Sequence, residues 1–292
     1  MASRVLQALR DVALHLPAAR RNPLEALDLL TPHSTSRVRS DLSYGAHGGQ
    51  RADLYLPDGA RSVVVFFHGG RWSYGHKEEY RFVGEALAAR GLAALVCDYR
   101  KYPAFRFPAF VEDAAAAIAW AMTRLPDLGI DLRQVFAMGH SAGAHIAALA
   151  TMDRRYAEVH GIDPDSLAGL VLLSGPYDFY PIREADLRDM FGPDEFHHET
   201  QPLRYVRPGL PPFLLLHGRR DRTVRPSSSA RLASALRSEG VEARAIFYEH
   251  LTHTNILAAL SGRIGFLVAP LLEDVDAFVR RRIRRLRADE GS

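Results

Sequence analysis

The chain has 292 residues, of which 47% are hydrophobic and 24% charged, and its formal net charge is +3. This length is enough for one large α/β domain with a substantial core, and the balance is that of a globular protein, not of a disordered or fibrous one. No apolar run reaches the roughly 18 residues that a transmembrane helix needs. We therefore expect no membrane span.

The positive charge is concentrated near the C-terminus. Six arginines lie within residues 280–287, and without them the formal charge would be −3. Arginines in the last turns of a helix interact favourably with its dipole, and no stacking aromatic residues interleave them. We expect a solvated helix end and no nucleic-acid binding. The alternatives are contact with an anionic surface or with a second copy of the chain, as in a homo-oligomer.

The single cysteine, Cys97, excludes an intrachain disulfide and is typical of a reducing compartment. It lies in an apolar run, which favours a buried and inert thiol. The first residues carry charges where a secretory signal needs an unbroken apolar core. These features together predict a cytoplasmic protein.

Predicted strands and helices alternate along the chain. Residues 1–36 are predicted to be an N-terminal helical segment and residues 37–292 the main domain, with a cap insert of irregular structure at about 175–211. Strands are predicted at 37–43, 51–56, 62–68, 92–97, 133–138, 168–173, 213–217 and 243–248, and helices at 78–90, 109–124, 227–239 and the C-terminus. The first two strands are expected to form an antiparallel edge pair. Alternation with helices of about 10–15 residues predicts a mostly parallel sheet covered on both faces, with ligands beyond the carboxyl ends of the strands.

The segment Gly139–Gly143 has the pattern G-H-S-A-G, follows a predicted strand and precedes a run of small residues. Strand, G-x-S-x-G and helix in this order are the layout of a nucleophile elbow, in which a serine sits on a tight turn. The two glycines leave room for the strand and the helix to pack against that turn. Ser141 is therefore the predicted nucleophile.

A serine hydroxyl needs a base within reach, and the base needs an acid that orients it. Asp221 is the carboxylate in the loop that follows strand 213–217, and it is the predicted acid. Two histidines follow the next strand. His253 directly precedes Thr254–Leu257, which we interpret as the start of a helix, and it is the predicted base; His250 is the alternative.

The developing negative charge of the reaction needs backbone N–H donors. Gly69 and Gly70 follow the strand at 62–68, and two glycines let the backbone turn its N–H groups toward one point. We expect them to form an oxyanion hole with Ala142 of the elbow. The candidate substrate-binding residues are Trp72, His140, Tyr177 and Phe179.

The sequence gives no support for a metal or an organic cofactor. The histidines do not fall at metal-ligand spacing, and no glycine-rich nucleotide-binding element is present. We therefore expect neither a metal ion nor a cofactor.

Five segments together resemble a known family: His68–Trp72, Asp98–Arg100, Gly139–Gly143, Asp221 and His253–Ile256. They are similar to those of α/β-hydrolases and, more narrowly, of HGG-type esterases related to hormone-sensitive lipase, including their arylformamidase and feruloyl-esterase-like carboxylesterase branches. The resemblance covers about residues 40–280. It implies the α/β-hydrolase fold and an acyl-enzyme on the serine. The large N-terminal cap of the lipase relatives is absent, so the insert at 175–211 would be the lid.

The chemistry and the resemblance predict a cofactor-independent serine hydrolase for small-molecule carboxylic esters with short to medium acyl chains. An arylformamidase that hydrolyses amides of the N-formylkynurenine type uses the same chemistry and is the first alternative. An inactive ligand-binding or scaffold protein on the same fold is the alternative from another class.

Overall fold

Eight strands form one sheet within the described part of the chain, which consists of Leu24, Leu27, Thr31 and residues 36–262 and 265–290. The predicted N-terminal helical segment, 1–36, lies outside the described residues apart from four positions. The strands are β1 (Arg37–Ser43), β2 (Arg51–Leu56), β3 (Val63–Phe67), β4 (Ala93–Cys97), β5 (Val135–His140), β6 (Gly169–Leu173), β7 (Phe213–Gly218) and β8 (Ala243–Tyr248).

The spatial order of the strands is β1-β2-β4-β3-β5-β6-β7-β8. β1 and β2 pair antiparallel at one edge, β2 and β4 are also antiparallel, and every other neighbouring pair is parallel. The predicted α/β-hydrolase architecture, a mostly parallel sheet with an antiparallel edge pair, is confirmed. The carboxyl ends of β3, β5, β6, β7 and β8 therefore meet at one edge of the sheet.

Helices cover both faces of the sheet. They are α1 (Arg81–Ala88), α2 (Ala109–Arg124), α3 (Ala142–Met152), α4 (Arg154–Glu158), α5 (Ala185–Phe191), α6 (Ser227–Ser238), α7 (Gly265–Val268) and α8 (Leu271–Glu290). Side chains of a strand point alternately to opposite faces. Val65 and Phe67 of β3 accordingly belong to the core with α2, α3 and α6, whereas Val64 and Phe66 belong to the core with α1 and α8. Burial on both faces explains the unbroken apolar runs of the central strands.

Two local predictions differ from the structure. No α-helix starts after His253: residues 253–257 form turns, followed by a 3-10 turn at Ala258–Leu260. The Asn255 side chain accepts a hydrogen bond from the backbone N–H of Thr252 at 2.6 Å, and such local bonds compete with a helix. The insert at 175–211 is not wholly irregular, because it contains α5 and two 3-10 segments, Asp194–Thr200 and Pro202–Tyr205.

None of the helices in the described residues is both long enough and apolar enough to cross a membrane.

Candidate active site

Ser141 lies between the end of β5 and the start of α3, with a backbone φ of 54° and ψ of −119°. A positive φ is unfavourable for a residue with a side chain, and such strain is concentrated at functional sites. The turn needs both of its glycines for close packing: a Cβ on Gly139 would lie 2.3 Å from the carbonyl oxygen of Gly143, and one on Gly143 would lie 2.0 Å from that of Phe67. The strand and the helix are thus pressed together behind a turn whose serine is half-buried, as the G-x-S-x-G pattern predicts.

Ser141, His253 and Asp221 form one chain of hydrogen bonds. The Nε2 atom of His253 lies 2.8 Å from Ser141 Oγ, and its Nδ1 atom lies 2.8 Å from Asp221 Oδ2. Because Nδ1 faces a carboxylate, it carries the proton, and Nε2 is left to accept the proton of the serine hydroxyl. The structure thus brings together the three residues that the sequence singles out, while the alternative base, His250, is exposed to solvent.

Asp221 is buried and fully hydrogen-bonded. Its Oδ1 atom accepts the backbone N–H groups of Thr223 and Val224, each at 2.9 Å, and its Oδ2 atom faces His217 Nε2 at 3.2 Å as well as His253. Burial alone would raise the pKa of this carboxyl, but the hydrogen bonds from His217 and His253 outweigh burial and hold the pKa well below its usual range. Asp221 is therefore ionised at every pH at which the imidazole can act as a base.

Sequence reasoning missed His217, the residue that shares Asp221 with the candidate base. It is fully buried at the end of β7, and its Nδ1 atom accepts the hydroxyl of Ser229 at 2.7 Å. Because Nδ1 is an acceptor, Nε2 carries the proton and donates toward Asp221 Oδ2 and the carbonyl oxygen of Val224. A histidine within an apolar strand, four residues before the acid, was the available signal.

The loop after β3 lies beside the nucleophile. A Cβ on Gly69 would lie 3.3 Å from the Cβ of Ser141, so the loop is adjacent to the serine. Among the described residues, the backbone N–H groups of Gly69, Gly70 and Arg71 donate to no backbone carbonyl. The predicted donors Gly69 and Gly70 are therefore available in this loop, together with Arg71.

The third predicted donor, Ala142, is the first residue of α3. Its N–H has no carbonyl within the helix to bind, because the first intrahelical acceptor, the Ser141 carbonyl, binds the N–H of His145 at 3.1 Å. Ser141 itself donates its N–H to the carbonyl of Leu173 at 2.9 Å. The Ala142 N–H thus remains free directly beside the serine.

The loop that presents these donors is held by His68 and Asp98. The His68 ring is fully buried, with Nδ1 2.5 Å from the carbonyl oxygen of Gly69 and Nε2 3.2 Å from Asp98 Oδ1. Burial would raise the pKa of Asp98, but His68 and Lys101 outweigh burial and lower the pKa to about 2. A permanently ionised carboxylate thus anchors the loop.

His140 lies against the candidate base and not in an open pocket, in contrast to its predicted substrate-binding role. Its Nε2 atom donates to the backbone carbonyl of His253 at 2.9 Å, and its ring centre lies 5.0 Å from that of His253. Burial, and then repulsion from His253, lower the pKa of His140 to about 3. His140 is thus a neutral brace that ties the elbow to the loop after β8.

Two other candidate substrate-binding residues, Trp72 and Phe179, lie in an aromatic cluster, defined here as Trp72, Phe179 and Phe191. Trp72 has 5% of its surface exposed, and its Nε1 donates to Nδ1 of His145 at 3.2 Å. Phe179 is half-buried and stacks on Trp72 at 5.9 Å. Tyr177, by contrast, has no exposed surface. It packs in the interior and has no surface to offer a substrate.

Three side chains in the described residues have ligand atoms close enough for a metal ion: His76, Glu78 and Asp98, all within 4.8 Å of one another. Their carboxylates are already paired with ammonium groups, since Lys77 Nζ lies 2.6 Å from Glu78 and Lys101 Nζ lies 3.0 Å from Asp98. We assign no metal site to this cluster.

Comparison with known proteins places the chain in a family. The sequence model of the BD-FAE family matches residues 52–236. The chain belongs to the BD-FAE family. The fold is similar to that of apo Thermogutta terrifontis esterase 2, with a TM-score of 0.72 and 26% identity over 86% of this chain and 96% of that one. The same esterase also occurs phosphoramylated by tabun, with a TM-score of 0.71 and 27% identity.

Curated relatives of this family member include two esterases and a formamidase. It is 30% identical over 284 residues to a probable isoprenylcysteine alpha-carbonyl methylesterase, ICMEL2, of Arabidopsis thaliana, covering 88% of this chain and 64% of the relative. Esterase LipC of Mycobacterium tuberculosis is 30% identical over 243 residues, 76% of this chain and 60% of the relative. Kynurenine formamidase of Danio rerio is 28% identical over 190 residues, 59% of this chain and 62% of the relative. The chain spans about three fifths of the length of these relatives. The predicted membership among esterase-type α/β-hydrolases is confirmed.

Proposed function

We propose that this BD-FAE family member is a serine hydrolase that cleaves small-molecule carboxylic esters with short to medium acyl chains. The observation that carries the proposal is the chain of hydrogen bonds from Ser141 through His253 to Asp221, with both contacts of the imidazole at 2.8 Å. The esterase relatives support the same chemistry.

The proposed reaction uses these groups in two half-reactions. The Oγ atom of Ser141 attacks the ester carbonyl while Nε2 of His253 accepts its proton, and the proton then passes to the departing alcohol. The acyl-enzyme is hydrolysed by a water molecule that His253 deprotonates. Asp221 stays ionised and stabilises the imidazolium that forms in each half-reaction.

The negative charge of each tetrahedral intermediate needs donors that are already in place. We propose the N–H groups of Gly69, Gly70 and Ala142 as the donors, because none of them donates to a backbone carbonyl in the described residues, Gly69 lies beside the serine and Ala142 follows it in the chain. Loss of one such donor costs about 3–4 kcal/mol of transition-state stabilisation. His68 and Asp98 would act by holding the loop in this shape.

The preference for shorter acyl chains rests on the aromatic cluster. Trp72 and Phe191 are almost fully buried and pack edge-on against His145, one helical turn after the nucleophile. Phe179 covers the same ring at 5.6 Å. These rings occupy space that a long acyl chain would need, and we propose Trp72 and Phe179 as the residues that limit its length.

An arylformamidase is the second candidate, and it is favoured by one observation: the similarity to the Danio rerio kynurenine formamidase over 59% of this chain. An acyl-enzyme mechanism serves both reactions, since a formyl amide and an ester each present a carbonyl to the serine.

The cytoplasmic location and the possible homo-oligomer stay predictions. The first is in keeping with the buried, unpaired thiol of Cys97.

The test is turnover of p-nitrophenyl acetate, butyrate and octanoate and of N-formylkynurenine, each with the wild type and with Ser141→Ala. We expect the highest kcat/KM for acetate or butyrate and a loss of at least about 10⁴-fold in the variant. A preference for N-formylkynurenine would select the formamidase. If the wild type hydrolyses none of the substrates and an organophosphonate does not label Ser141, the protein is the inactive scaffold.

A further inference from the structure

A second concave site lies at the edge of the sheet opposite to Ser141. It is a cavity of about 270 Å³ at the points where β3 and β4 begin. Because β3, β4 and β5 run parallel, these amino ends face away from the carboxyl ends that carry the candidate active site. We call it the arginine cavity, because five arginines line it: Arg61, Arg90, Arg280, Arg284 and Arg287.

Three of these arginines form a stripe along α8. Arg280, Arg284 and Arg287 are spaced four and three residues apart, so their side chains lie on one face of the helix. Like charges at this spacing repel each other and destabilise an isolated helix. A stripe of this kind is unfavourable unless counter-charges lie opposite to it.

The next stripe of the same helix has its counter-charge within the protein. Arg281 and Arg285, also four residues apart, both pair with Glu242, the first of them at 2.9 Å. The two stripes thus have the same residue type, helix and spacing. They differ in that Arg284 and Arg287 pair with no acidic side chain in the described residues, whereas Arg281 and Arg285 both do.

The arginine cavity has a surplus of positive charge. Arg90 pairs with Glu273 at 3.0 Å, and Arg280 pairs with Asp276 at 2.7 Å. Arg61, Arg284 and Arg287 pair with no acidic side chain in the described part of the chain, and none of the described residues that line the cavity is acidic. A guanidinium stays charged at all ordinary pH values. About three positive charges therefore remain unbalanced around one small space.

The backbone carbonyl of Arg90, beside the cavity, does not supply the missing negative charge. The end of α1 points toward this region, and helix C-termini carry partial negative charge. The carbonyl oxygen of Arg90, just after that helix, is however already occupied by Nη2 of Arg280 at 3.0 Å. This contact also fixes the position of α8 against the loop before β4.

We propose that the arginine cavity binds a phosphate-bearing ligand, a phosphomonoester or diphosphate group carried either by a small soluble molecule or by a lipid headgroup. The planar fork of arginine matches phosphate oxygens in bidentate pairs. A volume of about 270 Å³ suits such a small group, since it lies just below the range of about 300–1,000 Å³ for the sites of larger ligands. This site is separate from the proposed ester hydrolysis and does not depend on it.

The test uses inorganic pyrophosphate as the probe and isothermal titration calorimetry with the full chain. The variant Arg284→Gln/Arg287→Gln removes two of the three unpaired charges, and the matched control Arg281→Gln/Arg285→Gln removes the same charge from the paired stripe. We expect binding by the wild type that weakens as salt is added, a loss of at least about tenfold in the first variant, and a change of less than about twofold in the control. Thermal unfolding and ester turnover of each variant show that the chain is folded.

The source of the phosphate is decided with vesicles. Co-sedimentation with phosphatidylcholine vesicles, with and without phosphatidic acid, whose headgroup is a phosphomonoester, is measured for the same three proteins. Binding to the anionic vesicles that pyrophosphate displaces would identify a lipid headgroup, whereas binding of pyrophosphate alone would identify a soluble ligand. No binding of either probe by the wild type, or equal loss in the two double variants, would overturn the proposal, because equal loss means attraction by net charge and not by a site.

Discussion

The loops that carry Ser141, Asp221 and His253 differ from the insert between β6 and β7 in the way they are held. The acid is fixed by N–H groups two and three residues away, and the turn of the base by the contact between Thr252 and Asn255. The insert is held by contacts between buried aromatic rings of residues that are distant in sequence, such as Phe110 and Phe191. It is also held by exposed ion pairs, such as that of Arg106 with Asp189 of α5.

The two regions differ in whether contacts between residues near in sequence are enough to fix the position of a side chain. A carboxylate that accepts nearby backbone N–H groups fixes its own position through the turn it stabilises. The position of a buried ring such as Phe191 depends on its contacts with Phe110 of α2 and with Trp72 of the loop after β3. We therefore expect changes in the loops that carry Ser141, Asp221 and His253 to lower the rate of hydrolysis strongly. Changes in the surface contacts of the insert should have small effects on the rate.

The largest effect should come from the base. His253→Ala removes the group that accepts the serine proton, so we expect kcat/KM for p-nitrophenyl butyrate to fall by at least about 10⁴-fold. The matched control is His250→Ala, an exposed histidine three residues earlier, for which the change should stay below about threefold. The reverse ranking in a steady-state assay would assign the base to His250.

The acid should come next. Asp221→Asn keeps the shape of the side chain, but its amide can donate to Nδ1 of His253 and so favour the wrong tautomer. We expect kcat to fall by about 10³–10⁴-fold, as for a triad acid whose carboxylate becomes an amide. His217 would still face the amide, so the fold should be retained. A folded variant with more than about a tenth of wild-type kcat would mean that the carboxylate does not orient the base.

The stability of the fold at acidic pH tests the contact between His145 of α3 and Thr200 of the insert. His145 is fully buried, accepts from Trp72 and donates through Nε2 to the carbonyl of Thr200 at 2.8 Å, and burial lowers its pKa to about 4. Below about pH 6.5 the unfolded chain takes up a proton here that the folded chain does not, so stability falls with falling pH by about 1.4 kcal/mol per unit. The same sign applies to His140, whose pKa is lowered to about 3.

His145→Gln removes this proton uptake, while its amide can still accept from Trp72 and donate to Thr200. Measured by urea unfolding, the variant should be less stable than the wild type at pH 7. Its deficit should shrink by about 2 kcal/mol at pH 5, because only the wild type loses stability at this position. His250→Gln, at an exposed position, should follow the wild type. Parallel pH profiles for His145→Gln and wild type would contradict a neutral buried His145.

The strands and the hydrogen-bonded residues Ser141, His253 and Asp221 could be predicted from the sequence because their signals are local. The strand predicted at 243–248 matches β8, Ala243–Tyr248, and the elbow is defined by five consecutive residues. Two features could not be predicted. The hydrogen bond from His140 to the His253 carbonyl joins residues 113 apart in sequence, and the burial of Tyr177 depends on α6, whose Ser228 accepts its backbone N–H. Each depends on which distant element approaches, which composition and spacing do not specify.

The smallest effect should come from the ion pair that joins the insert to the loop after β3. Arg71 pairs with Glu184 and, at 2.9 Å, with Asp186, and all three side chains are exposed. Exposed pairs contribute little, so Glu184→Gln/Asp186→Asn should lose less than about 1 kcal/mol of unfolding free energy and less than about threefold in kcat/KM. Asp189→Asn breaks a second exposed pair on the same helix, with Arg106, and serves as the control. If the double variant lost a hundredfold in kcat while the control did not, the insert would be holding the oxyanion donors in place, and the division between the two regions would be wrong.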